Sequence, residues 1–107
     1  MITYHADVAP IAALPGITRR TLATSDVLML CEFTFAAQVR IPIHTHPHEQ
    51  VGYVVYGRVE MTIDGQASIL GPGDSYCAAG NIPHGALTLE PTMIIDTFTP
   101  PREDYRS

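Results

Sequence analysis

Basic charge is scarce in this sequence. Six Lys and Arg stand against eleven Asp and Glu, a formal net charge of -5. The six are scattered, whereas a nucleic-acid or anionic-membrane surface needs clustered positive charge to displace counterions. No nucleic-acid and no membrane partner is therefore expected. The opening segment, MITYHADVAPIAALPG, has no basic stretch ahead of an apolar one, and Pro10 and Pro15 interrupt its apolar residues. It has the pattern of neither a secretory signal nor a spanning helix, so a cytoplasmic location is expected. Cysteine is limited to Cys31 and Cys77, with no CxxC pairing. Both lie in apolar runs where a free thiol behaves as a small hydrophobe, which predicts two buried free thiols.

Helical periodicity is missing too. No stretch of ten residues carries it without a Pro or Gly, while β-branched and aromatic residues recur in short runs between turn signals. The fold class predicted is all-β, with strands over 27–35, 38–44, 50–56, 59–63, 67–70, 75–78, 85–89 and 93–98. Gly57-Arg58 separates two apolar runs, Asp64-Gly65 is a favoured hairpin turn, and Gly71-Pro72-Gly73-Asp74 supplies a tight reversal. The N-terminal stretch is expected outside the sheets, and Pro100-Pro101 to end the last strand ahead of a polar tail. With 107 residues, 46% hydrophobic and 16% charged, the chain can fill one core. We read it as a single domain, 1–107, with a barrel core at about 25–99.

What is abundant is histidine in one place. Three of the five histidines stand in Ile43-His44-Thr45-His46-Pro47-His48-Glu49-Gln50. Alternate side chains of an extended strand share a face, so His44 and His46 can offer two imidazole nitrogens to one ion. After a turn at Pro47, the Gln50 carbonyl oxygen can reach the same ion from the adjacent strand. His84, in Asn81-Ile82-Pro83-His84-Gly85, is the fourth candidate, although only the fold can bring it there. Imidazole and oxygen donors suit a divalent transition metal, with Zn, Ni, Fe, Co and Mn all admissible. His48 reads as a rim residue beyond Pro47, and Glu49 as a solvated acid on the opposite face from Gln50.

These residues resemble the cupin superfamily, whose first motif reads Gly-x5-His-x-His-x3-4-Glu-x6-Gly and whose second reads Gly-x5-Pro-x-Gly-x2-His-x3-Asn. His44 and His46 match the first pair, Gln50 stands at the Glu position, Gly57 closes that motif, Gly73 opens the second and His84 supplies its histidine. Gln38 replaces the first glycine, and Ala78 and Ala79 stand where prolines are common. The resemblance implies a cupin-type β-barrel, the double-stranded β-helix or jelly roll, and a homodimer. A glutamine in place of the acid leaves the ion's charge uncompensated, which makes it a stronger Lewis acid and lowers its affinity.

A second cluster lies in Ile94-Ile95-Asp96-Thr97-Phe98-Thr99-Pro100-Pro101-Arg102. Strand alternation puts Asp96 and Phe98 on one face. An inward Asp96 would serve proton transfer; at a barrel edge it would only bond to backbone. Arg102 offers a bidentate fork to a carboxylate, or else is a solvated tail charge. Together with the histidine segment, this stretch is similar to the pectin-degradation cupins that linearise unsaturated uronates, in which the positions matching Asp96, Phe98 and Arg102 belong to the active site. That resemblance implies ring opening and tautomerisation of a cyclic unsaturated monouronate from pectin or alginate, a small acidic sugar-like substrate. A metal-dependent dioxygenase and a non-catalytic sugar-binding module are the competing expectations.

Overall fold

The structure is a computed structural model and describes residues 1–106. Ten antiparallel strands form two facing sheets. They are β1 (Ile11–Leu14), β2 (Ile17–Thr24), β3 (Met29–Phe35), β4 (Arg40–His44) and β5 (Glu49–Tyr56), followed by β6 (Val59–Ile63), β7 (Gln66–Leu70), β8 (Ser75–Ala78), β9 (His84–Thr88) and β10 (Thr92–Thr99). The larger sheet runs β1-β2-β3-β10-β5-β8 and the smaller β4-β9-β6-β7. The all-β jelly roll is thus built as two sheets rather than one closed cylinder. Among the described residues no helix is long and apolar enough to cross a membrane.

Alternation decides what faces the space between the sheets. Met29, Cys31, Phe33 and Phe35 point inward from β3, as do Ile94 and Phe98 from β10, Val54 from β5 and Val59 from β6. The inward residues of the two sheets make one core, as in other sandwiches. The hairpin turn between β6 and β7 has Asp64 at φ 50° and Gly65 at φ 81°. Two left-handed residues in a row are what a two-residue loop needs to match the strand twist.

All eight predicted strands form, with bounds within two residues of the expected ones. The N-terminal expectation fails. Residues 11–24, read as lying outside the sheets, form β1 and β2, and β2 pairs along most of β3. Their pattern hid because adjacent arginines occupy opposite faces of β2. Arg19 is buried with its guanidinium 4.5 Å from the Tyr105 ring centre, and Arg20 turns outward to Glu32 at 3.2 Å. The thiol expectation is half corrected: Cys31 and Cys77 are free, but Cys77 is exposed. β8 directs Tyr76 and Ala78 inward, so Cys77 between them faces out.

Gln38, where the motif has glycine, adopts φ 60°, a left-handed conformation costly to a residue with a Cβ. Gly57, at φ 93°, has the opposite problem. A Cβ there would lie 2.4 Å from the Pro91 carbonyl oxygen. Gln38→Gly should therefore stabilise the fold by up to about 1 kcal/mol, whereas Gly57→Ala should destabilise it by more than that. Urea midpoints of the two variants, moving in opposite directions from wild type, check this.

Candidate metal centre

β4 is the edge strand that begins the site, and Pro42, which lacks an N–H, is tolerated there. Its pairing with β9 is irregular between Ile41, opposite Ala86, and His44, opposite His84. Ile41 and His44, three positions apart, consequently line the same cavity. His46 lies two residues beyond the strand's end. The rings still meet. Their centres lie 5.5 Å apart for His44 and His46, 4.5 Å for His44 and His84, and 4.7 Å for His46 and His84. One ring nitrogen from each of the three lies within 4.8 Å of the others.

Backbone carbonyls set the tautomers. Nδ1 of His44 donates to the Pro42 carbonyl at 2.8 Å, Nδ1 of His46 to that of His48 at 3.0 Å, and Nδ1 of His84 to that of Ile82 at 2.9 Å. With its proton on Nδ1, each neutral ring keeps a lone pair on Nε2. Burial holds the His46 and His84 rings below the usual imidazole pKa, and the Arg102 guanidinium adds to this at both. Two contacts then lack a proton. Nε2 of His84 is buried with no hydrogen-bond partner among the described residues. Nε2 of His46 faces Oε1 of Gln50 at 3.1 Å, an acceptor against an acceptor. A cation between them resolves the opposition, so the donors present fit a divalent metal ion.

Gln50 arrives from β5, whose register also organises the rest of the cavity. Gln50 stands opposite Phe98 of β10 and Ala78 of β8; Gly52 stands opposite Asp96 and Tyr76. The Tyr76 hydroxyl donates to Oδ1 of Asp96 at 2.5 Å and accepts from the Gln50 amide nitrogen at 2.8 Å. This bridge passes over Gly52. A Cβ there would be 2.2 Å from the Tyr76 ring and 2.4 Å from the Asp96 carboxylate. Glycine inside a strand commonly marks such a close approach.

Asp96 therefore points inward, among the groups that line the cavity, and Phe98, two residues on, forms its wall. Arg102 follows β10 and lines the same cavity, with its guanidinium 4.1 Å from the Tyr105 ring centre and 5.5 Å from that of Phe98. Its Nε and one terminal nitrogen donate to Asp104 at 3.3 and 3.1 Å. His48 is half-buried beside His46, while Glu49 is exposed, away from the ring of donors. The structure thus brings His44, Gln50, His84, Asp96, Phe98 and Arg102 to one cavity, with His46 against His44, His84 and Gln50. Sequence reasoning passed over Tyr76 and Tyr105. The signal for Tyr76 was Gly52, a gap inside an otherwise bulky strand.

Burial raises the Asp96 pKa from 3.8 to about 6, against the pull of hydrogen bonds from Tyr76 and Gln50. Below about pH 4 the carboxyl is protonated in both folded and unfolded chains, and its burial penalty is absent. As pH rises, the unfolded chain ionises first, and stability falls by about 3 kcal/mol by the time the folded group has titrated. Metal-free Asp96→Asn should therefore be more stable than metal-free wild type near pH ~8, with the gap closing toward pH ~4. Urea denaturation across that range measures it.

Comparison with known proteins shows the family. The cupin domain family, Cupin_2, matches residues 31–98. Pectin degradation protein KdgF of Dickeya dadantii (strain 3937) is 40% identical over 92 residues, covering 84% of each chain. The crystal structure of KdgF from Halomonas sp. superposes with a TM-score of 0.93 at 34% identity, covering 97% of this chain and 96% of that one. An RmlC-like cupin from Shewanella frigidimarina NCIMB 400 gives 0.93 at 31% identity, covering 97% and 94%. The chain belongs to the cupin family, and within that family it is similar to the KdgF-type pectin degradation proteins.

Proposed function

We propose that this protein converts a cyclic unsaturated monouronate, released by lyases from pectin or alginate, to its linear keto form, using one divalent transition metal held by His44, His46, Gln50 and His84. The observation that carries the reading is a buried carboxylate of pKa about 6, Asp96, sharing one cavity with Arg102 and with His44 and His84, which converge with His46. The 40% identity to a pectin degradation protein supports the substrate class.

The reaction needs no oxidant or reductant. Ring opening removes the anomeric hydroxyl proton and breaks the bond from the ring oxygen to the anomeric carbon. The resulting enol becomes a ketone by gaining a proton at carbon, so the net change moves a proton from oxygen to carbon. When bound, the ion supplies a positive charge that polarises a substrate oxygen. Asp96, titrating near neutrality, takes the proton from oxygen and returns it to carbon. Arg102 holds the substrate carboxylate with a guanidinium steadied on the Tyr105 and Phe98 rings. Phe98, 1% exposed, walls the cavity and excludes water from the transfer.

Loss of unsaturated-uronate absorbance, with the linear product identified, tests this reading. Asp96→Asn should lower kcat by about 10²–10⁴-fold, and Arg102→Ala should act mainly on KM. Equal rates for Asp96→Asn and wild type would remove Asp96 from the chemistry.

We also propose that the protein works as a homodimer. Val51, Tyr53 and Val55 leave an apolar strip on the outer face of β5, 41–51% exposed, which a second copy would cover. Light scattering at micromolar concentration should read twice the chain mass, and Tyr53→Asp should return it toward the monomer. A wild-type monomer would refute the dimer.

A further inference from the structure

The amide of Gln50 has two ends of similar shape and opposite chemistry. Only its oxygen can serve a cation; turned by half a revolution it would present an NH2 group to the lone pair of His46 Nε2. In isolation the turned state is the better one, since it replaces two opposed acceptors 3.1 Å apart with a donor and an acceptor. Something has to hold the amide in the orientation that is locally unfavourable without metal.

The hydrogen-bond chain identifies that group. A tyrosine hydroxyl carries one proton, and Tyr76 gives it to the Asp96 carboxylate. What remains on its oxygen is acceptor capacity, and the Gln50 side chain meets it with its nitrogen at 2.8 Å. Asp96 draws the same amide nitrogen. The oxygen is thereby left to point at the imidazoles. The ring that carries the hydroxyl is seated in the space Gly52 leaves by having no side chain.

We propose that Tyr76 is a positioning residue for the metal site: its hydroxyl, committed as donor to Asp96, locks the Gln50 amide with its oxygen toward His46. The inference rests on the metal reading above and adds to it a role for a residue outside the set of metal donors. It also accounts for the pairing of a glutamine ligand with a buried tyrosine, because a carboxylate at position 50 would have no wrong orientation to prevent.

Zinc affinity, measured by competition with a chromogenic chelator, tests the proposal in four proteins: wild type, Tyr76→Phe, Gln50→Glu and the double variant. Tyr76→Phe should weaken binding by about 10–100-fold. In the Gln50→Glu background the same change should matter by no more than about twofold. Equal losses in the two backgrounds, or no loss in either, would overturn the inference while leaving the metal site intact. A wild type that binds no zinc, nickel, cobalt, iron or manganese would overturn the metal reading itself. A measurement on unmutated, metal-free protein stands independently of variant folding. The Gln50 side-chain NH2 protons should show nuclear Overhauser contacts to the Tyr76 ring and none to the His46 ring; contacts to His46 would refute the lock.

Discussion

The site depends on the register of β5 between β10 and β8. Because Gln50, Gly52 and Val54 face the interior together, Gln50 is carried toward the histidines and Val54 into the apolar core. Gly52, between them, opens the gap over which Asp96 and Tyr76 meet. A shift of one residue would turn all three positions to the outer face. The alternating apolar residues of β3 and β10 that fill the core oppose such a slip, so the register of the site is held by packing remote from it.

Around that frame the cavity joins groups with conflicting demands. Burial, with the positive charge of Arg102, favours the neutral form of the His46 and His84 rings, which suits lone-pair donation. The same burial makes an ionised Asp96 costly, so a carboxyl that lines the cavity weakens the fold once it ionises. Acceptors without protons at His84 and between His46 and Gln50 add to the strain of the metal-free state. A bound cation would remove these oppositions together and so couple occupancy of the site to the stability of the fold.

Much of this was legible in the sequence. The His44-x-His46-x3-Gln50 spacing and the distant His84 picked out side chains that the fold brings together, and alternation along 93–98 put Asp96 and Phe98 on one face. What the sequence concealed has physical causes. β2 escaped because an arginine, Arg19, points into the interior, where its charge is spread against the Tyr105 ring instead of being excluded. Ile41 and His44 reach one cavity although three positions apart, because the pairing of β4 slips next to Pro42. Cys77 was placed on the wrong side because in a four-residue edge strand the apolar residue and its neighbour give no clear alternation. Tyr76 was invisible alone; its meaning came from a hydrogen-bond chain that crosses three strands.

Arg102 does not stand bare at the cavity. Two of its donor nitrogens already hold the Asp104 carboxylate, two residues along the same tail. On the reading given above, a substrate carboxylate reaching this guanidinium enters an exchange of one anion for another. Much of the arginine's water has been removed beforehand, so capture demands little further dehydration. The displaced Asp104 is tethered and ready to return, and its return would hasten departure of the product. The tail would then work as a resident competitor that keeps binding shallow and turnover quick.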